Sequence, residues 1–202
     1  MRVHDFGHAS ATRLFADTVP VPPLQVAFAG GQSGGWTVQR QDTVAGPGLP
    51  AASHVEVLEG TAAAAASAPA WVLRGVVSHE RYATRSEHDA LAAVQEPLGR
   101  PAATRAALIP IRKSERWWSL PQDERRRIFE ERSHHLTIGL GQLPAVARRL
   151  FHARDLGEPF DFLTWFEFAP AAAPGFEELV HKLRATEEWA YVQREIDIRL
   201  AR

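Results

Sequence analysis

AVARRLFHARDLGEPFDFLTWFEF, residues 145–168, is the stretch that decides the fold of this 202-residue sequence. Its two ends, AVARRLFHA at 145–153 and FDFLTWFEF at 160–168, are rich in the aromatic and branched side chains that favour strands. The segment RDLGEP between them carries the glycine and proline of a turn. The stretch therefore predicts two consecutive strands joined by a short connection.

The sequence downstream of this pair continues the pattern. FEELVHKLRATEEWAYV, residues 176–192, has apolar positions at helical spacing, and EIDIRLA, residues 195–201, alternates as a strand does. Strand, strand, helix and strand in that order make half of a ferredoxin-like unit. The end of the chain is therefore predicted to belong to an α+β module.

Upstream segments predict a related order of elements. WVLRGVVSH at 71–79 and AALIPIR at 106–112 are typical of strands, and TRSEHDALAAVQ at 84–95 is typical of a helix. Two earlier strands are predicted, at residues 24–30 and 54–60. The first half of the chain thus also contains the sequence strand, helix, strand.

The two halves together predict the fold class. We expect an α+β protein of two ferredoxin-like modules, residues 1–104 and 105–202, whose antiparallel sheets pack together or close into a barrel. The 45% hydrophobic content is enough to bury a sizeable core in one large domain or two small ones that pack together.

Charge and cysteine content exclude several classes of function. The formal net charge is −1, so no global basic field points to nucleic acid or to an anionic membrane. The absence of cysteine excludes disulfides, iron–sulfur clusters and cysteine-ligated haem, which leaves histidine or oxygen as the ligand of any metal. No stretch is apolar enough to span a membrane or to act as a signal peptide, so we expect a cytoplasmic protein.

Two adjacent histidines close the segment SLPQDERRRIFEERSHH, residues 119–135, which predicts an amphipathic helix. At about 100° per residue, His135 falls on the same face as Ile128, whereas His134 points toward the polar side. A histidine on an apolar face is more often a hydrogen-bonded core residue than a metal ligand. The pattern alone leaves both interpretations open.

Arg148 and Arg149 are neighbours in the first strand of the deciding stretch, so they face opposite sides of the sheet. The pattern does not say which side borders a cavity, and two solvated charges on an edge are the alternative.

The apolar stripe of the last helix continues to Glu187, where a buried carboxylate would need a partner such as a histidine Nδ1. Glu188 is the competing position, and a surface ion pair with a neighbouring cation is the alternative for either residue.

Aromatic and basic residues adjoin at 112–118. Trp117 and Trp118 follow Arg112 and Lys113, and such a set can wall a planar cofactor and hold its carboxylates. Packing of both tryptophans in a core or an interface is the alternative.

Four segments taken in order resemble the chlorite dismutase family. They are IPIRKSERWW (109–118), ERRRIFEERSHHLTIGL (124–140), LPAVARRLFHARDLGEPFDFLTWFEF (143–168) and LRATEEWAYVQREIDIRL (183–200). The resemblance covers roughly residues 70–202, and the short chain is similar to the smaller, typically dimeric branch of the family. It implies a dimeric α+β barrel-type architecture.

The resemblance also implies a site for haem b. His135 would be the proximal ligand of the iron, and Arg148, thirteen residues later, would be the distal catalytic residue. The proximal carboxylate falls on Glu187, or on Glu188 if the alignment slips by one residue. The other implied contacts of the haem and its propionates are Lys113, Trp117, Trp118 and Tyr82.

The implied activity is the conversion of the small anion chlorite into chloride and dioxygen by a cytoplasmic homodimer. A sister group that decarboxylates coproporphyrin haem is implied to use a reactive tyrosine near the tryptophan segment and usually to lack the distal arginine. This chain has Ile109-Pro110-Ile111 in that segment and has Arg148, and both features favour chlorite chemistry. A haem-binding or haem-sensing protein without turnover and a haem-free interaction module are the remaining alternatives.

Overall fold

The computed structural model describes residues 25–60, 68–77, 94, 96–142 and 144–202. Eight strands lie in this part of the chain: β1 (Gln25–Gly31), β2 (Trp36–Ala45), β3 (His54–Glu59), β4 (Trp71–Val76), β5 (Arg105–Lys113), β6 (Val146–His152), β7 (Phe162–Phe168) and β8 (Val192–Ala201). They form a closed barrel in the order β1-β3-β2-β8-β5-β7-β6-β4, with antiparallel neighbours.

Helical elements lie mainly in the second half of the chain. They are α1 (Glu115–Trp118), α2 (Gln122–Arg126), a π-helical turn (Arg127–Arg132), α3 (His135–Leu140) and α4 (Ala173–Arg184), with 3-10 turns at Arg154–Leu156, Pro170–Ala172 and Glu187–Tyr191. No helix within the described residues has the length and apolar character needed to cross a membrane.

Strand alternation produces two hydrophobic layers. One face of the strands fills the barrel with side chains such as Phe28, Leu163 and Ile198, each of which is fully buried. The opposite face of β5 and β7 packs against the apolar side of α4, as the contacts of Phe166 with Phe176 show. The outer layer is the one that positions the candidate site.

The structure confirms a mixed α+β fold and the barrel, one of the two arrangements predicted. Ferredoxin-like modules are not established. Residues 32–35 join β1 to β2 without a helix, so the first half of the chain departs from the ferredoxin-like pattern at that point. The helix predicted at 84–95 lies almost wholly outside the described residues. The division into 1–104 and 105–202 stays a prediction.

Strand β2 is the element that the sequence pattern did not predict. Its residues, WTVQRQDTVA, are mostly polar and mostly exposed, so they lack the alternation of a half-buried strand. The strand is instead held by backbone pairing with β8 from Thr37–Ala201 to Ala45–Glu195. Because β2 comes from the first half of the chain and β8 from the second, this pairing joins both halves in one barrel.

Candidate active site

A large cavity separates the outer face of the barrel from helices α3 and α4. It contains roughly 1390 Å³ of space that no atom fills, part of which is open to solvent. Alternate residues of β5, β6 and β7 form the sheet wall: Ile109, Ile111 and Lys113, then Arg148, Leu150 and His152, then Phe162, Thr164 and Phe166. The helical wall includes His135, Leu136, Gly139, Leu179, Val180 and Leu183. The walls are mainly apolar, with a few charged groups at defined places.

His135 is the first residue of α3, and its ring lines the cavity. The helix predicted to run continuously through 119–135 is broken, because His134 adopts a left-handed conformation with φ 52°. Glu130 then caps the new helix by accepting hydrogen bonds from Leu136 N (2.7 Å) and Thr137 Oγ1 (2.8 Å). Counting about 100° per residue from Ile128 to His135 assumed one continuous helix, which the structure does not have. His135 nevertheless faces the cavity.

Glu188 is the carboxylate that contacts His135. Its Oε2 lies 2.7 Å from His135 Nδ1, and its backbone N–H donates to Ser133 Oγ at 3.0 Å. Of the two positions that the sequence left open, the contact with His135 falls on Glu188 and not on Glu187. Glu187 is exposed and pairs with Arg132 at 2.9 Å. The reason is that α4 ends at Arg184 and both acids lie in a 3-10 turn, so the spacing of the α-helix no longer applies.

Lys113 holds the other oxygen of the same carboxylate. Its Nζ lies 2.7 Å from Glu188 Oε1 and is buried between the rings of Trp117 (4.9 Å) and Trp189 (5.4 Å). The resemblance placed Lys113 along the edge of a cofactor, but its ammonium group is bound to Glu188. A triad of Lys113, Glu188 and His135 results, in which Lys113 and Glu188 are buried and His135 is partly exposed toward the cavity.

The charges around Glu188 keep this buried carboxyl group ionised. Burial is the largest effect and raises its pKa, but the opposing attraction and hydrogen bonds of His135 and Lys113 together lower the pKa to about 2. An ionised carboxylate accepts a hydrogen bond from His135 Nδ1–H, and in a neutral ring with that tautomer Nε2 is the nitrogen that carries a lone pair. Such an imidazole is oriented and made more basic for binding a metal.

Arg148 reaches the cavity from the sheet wall. It shares the outer face of β6 with Leu150 and His152, and its pairing partner on β7 is Phe166. Arg149 faces the opposite way and lies 3.6 Å from Glu59. The sequence pattern left open which of the two arginines faces a cavity. The packing of β6 in the barrel turns Arg148 toward it.

The two tryptophans separate. Trp117 lines the cavity and contacts the ring of Tyr191 edge-on at 5.4 Å. Trp118 is not part of the cavity lining. Its indole N–H donates to Asp161 Oδ2 at 3.1 Å, and its ring stacks on Phe162, so its place beside a cofactor stays a prediction. Tyr82 lies outside the described residues.

Trp189 and Glu195 also line the cavity, and neither was predicted from the sequence. Glu195 lies on β8 directly before Ile196, which fills the barrel, and only 1% of its surface is exposed. The signal available in the sequence is the alternation in EIDIRL. It places Glu195 and Asp197 on the face opposite Ile196, where the carboxylates contact α4.

The donor set fits haem. The described residues contain no cluster of three or more side chains able to hold a metal ion. They offer one imidazole oriented by a carboxylate, in a mainly apolar cavity. Gly139, one turn after His135, has nothing within 4 Å of where a Cβ would lie, so the wall stays open beside the histidine. These features suit a flat cofactor with one axial ligand.

Comparisons with known proteins identify relatives of the chain. The model of the family described as chlorite dismutase matches residues 51–202. The structure of a dimeric chlorite dismutase from Nitrobacter winogradskyi is 57% identical over 88% of this chain and 99% of its own, with a TM-score of 0.82. The chlorite dismutase from Candidatus Nitrospira defluvii in complex with imidazole is 19% identical over 89% of this chain and 91% of its own, with a TM-score of 0.60, and shares the fold.

Proposed function

This chain belongs to the chlorite dismutase family, and we propose that it binds haem b in the cavity and converts chlorite into chloride and dioxygen. The observation that carries the proposal is the pairing of an oriented imidazole on the helical wall with a guanidinium on the sheet wall of one apolar cavity. His135, held by Glu188 at 2.7 Å, supplies the first group, and Arg148 supplies the second.

His135 is the residue that would hold the iron of the haem. With Nδ1 donating to Glu188, Nε2 is free of its proton and suited to bind iron. Lys113 binds the second oxygen of Glu188, so both oxygens of this carboxylate have a partner. The imidazole of His135 therefore has one preferred orientation. Trp117 and Gly139 would border the macrocycle. When bound, haem b supplies an iron centre that exchanges electrons and oxygen with chlorite.

Arg148 is the proposed catalytic residue. Its guanidinium is always protonated and presents several donors in a plane, which matches a small oxyanion such as chlorite. The apolar neighbours Leu150 and Phe166 strengthen this attraction because they give the guanidinium surroundings of low polarity. Arg148 would therefore orient the substrate and hold oxychlorine anions in the cavity until dioxygen has formed.

We also propose that the protein works as a homodimer in the cytoplasm. The support for the dimer is the 57% identity to a structure described as dimeric. The location stays a prediction from the sequence. Size-exclusion chromatography with light scattering measures the oligomeric state, and a monomer at micromolar concentration would contradict the proposal.

The decisive experiment is reconstitution of the purified protein with haem b, followed by addition of chlorite in an oxygen electrode. We expect a Soret band and the release of one dioxygen for each chlorite consumed. A Soret band without dioxygen would favour a haem-binding protein. Loss of propionates from coproporphyrin haem on addition of peroxide would favour the decarboxylase, and no Soret band would contradict haem binding altogether.

A further inference from the structure

Glu195 connects the helix layer to the wall of the cavity. Its Oε1 accepts hydrogen bonds from Arg184 at the end of α4, where Nε lies 2.9 Å away. Its Oε2 accepts the indole N–H of Trp189 at 2.8 Å. The carboxylate is almost completely buried, so both contacts are made in surroundings where electrostatic attraction is strong.

Trp189 carries this connection to the triad. It directly follows Glu188 in the 3-10 turn, and its ring lies 5.4 Å from Lys113 Nζ on one side. Lys113 in turn binds Glu188, which binds His135. A continuous set of contacts therefore runs from Glu195 through Trp189 to the proposed iron ligand.

We propose that Glu195 is a positioning residue for the proximal triad, acting through the indole of Trp189. The inference rests on the proposed function, because its effect is measured at the haem. By fixing the Trp189 ring, Glu195 keeps the ammonium group of Lys113 against Glu188, and Glu188 against His135. Loosening the indole weakens the orientation of the imidazole without removing any member of the triad.

Further ion pairs hold α4 against β8 without Glu195, so the role of Glu195 can be distinguished from simply holding the helix in place. Arg184 also binds Asp197 at 2.8 Å, and Arg199 joins Asp197 to Glu177 at the other end of the helix. Helix α4 thus remains attached to β8 at both ends when Glu195 loses its charge. The hydrogen bond between Glu195 and Trp189 is different, because the Trp189 ring contacts Lys113 of the triad.

Two variants test the inference, and one control is matched to them. Glu195→Gln removes the charge and leaves an amide that cannot accept from both Arg184 and Trp189 as the carboxylate does. Trp189→Phe keeps an aromatic ring beside Lys113 but removes the indole N–H. Glu177→Gln removes a carboxylate from the same network at a site that does not touch Trp189.

The measurements are made on the haem-loaded protein and do not depend on turnover. We expect haem to dissociate about tenfold faster from Glu195→Gln and Trp189→Phe, as is typical when a partner of a metal-binding histidine is disturbed. The iron–histidine stretching band of the ferrous protein should move to lower frequency in both. Glu177→Gln should keep the band and change the dissociation rate by no more than about twofold.

Equal behaviour of Glu195→Gln and Glu177→Gln in both measurements would overturn the positioning role while leaving the proposed function intact. The positioning role would also be overturned if Glu195→Gln and Glu177→Gln lowered the free energy of unfolding of the haem-free protein equally and neither of them shifted the iron–histidine band. Failure of the unchanged protein to take up haem would instead overturn the proposed function. Tryptophan indole hydrogen exchange, measured by NMR without haem, should show faster exchange at Trp189 in Glu195→Gln, and unchanged exchange would contradict the coupling.

Discussion

Glu188 Oε2 lies 2.7 Å from His135 Nδ1. The two residues are 53 positions apart in the sequence, and their contact joins α3 to the 3-10 turn before β8. Its neighbour Glu187 is exposed and bonded to Arg132. Two adjacent acids thus have opposite environments, one buried against the cavity and one in solvent. The pair provides an internal control for any test of the proximal carboxylate.

We predict that Glu188→Gln lowers haem affinity by about 10- to 100-fold and raises the reduction potential of the bound haem. The amide donates less electron density to the imidazole than a carboxylate, which weakens the iron ligand and favours ferrous iron. Haem titration and spectroelectrochemistry measure the two effects. Glu187→Gln should change neither, because an exposed ion pair contributes only about 0–1 kcal/mol. A shift in Glu187→Gln alone would return the assignment to Glu187.

We predict that His135→Ala loses stable haem binding, because no other imidazole of the described residues is held by the Lys113–Glu188 pair. Absorption spectra after reconstitution and desalting measure the retained haem. His134→Asn is the control, since asparagine tolerates the left-handed backbone of that position. It should keep the Soret band. An unchanged spectrum in His135→Ala would point to His134 or His152 as the ligand.

The local sequence pattern predicted most strands of the barrel, but it did not predict which way Arg148 and Arg149 face. Strands β6 and β7 were predictable because the segments that contain them are rich in the aromatic and branched side chains that favour strands. The face taken by Arg148 was not, since either face of VARRLFH carries one arginine and several apolar residues. That choice depends on Ala147 and Phe151, which fill the barrel and turn Arg148 toward the helices.

Breaks in helical regularity explain the errors around the candidate site. Counting along an ideal helix led to Glu187, whereas α4 ends at Arg184 and a 3-10 turn carries Glu188 inward. The left-handed residue His134 interrupts the earlier helix in the same way. Neither break has a glycine or proline to announce it. The break at His134 is accompanied by the local bonds that Glu130 accepts from Leu136 and Thr137, and the turn that carries Glu188 is held by the long-range bond from its N–H to Ser133.

The lowered pKa of Glu188 predicts how stability depends on acidity. A carboxyl group with a pKa near 2 in the folded protein and 4.5 when unfolded stabilises the fold above pH 4.5, and this stability is lost as the pH falls toward 2. The shift corresponds to roughly 3 kcal/mol. Urea unfolding of the haem-free protein at pH 5 and pH 3 should show a smaller loss of unfolding free energy for Glu188→Gln. Glu187→Gln should lose as much as the unchanged protein, and parallel losses in all three proteins would contradict the prediction.

We predict that Arg148→Ala keeps haem but turns over chlorite at least about tenfold more slowly. Arg148 lies on the sheet wall, whereas His135 and Glu188 contact each other on the helical side, so the substitution removes no member of the triad. A hydrogen bond from a charged donor contributes about 1.5–3 kcal/mol, which corresponds to tenfold or more in rate. The variant should also inactivate after fewer turnovers, because oxychlorine species that escape the cavity oxidise the protein. Oxygen release per haem and the total number of turnovers measure both effects.

Two further substitutions show which property of Arg148 matters. Arg148→Lys keeps the positive charge but lacks the planar array of donors, so its turnover should lie between those of the unchanged protein and Arg148→Ala. Arg149→Ala removes the neighbouring guanidinium, which faces away from the cavity toward Glu59, and should leave the rate per bound haem unchanged. If Arg148→Ala matches the unchanged protein in rate and lifetime, substrate is held by another group on the cavity wall, and His152, four residues along the same face, becomes the residue to test.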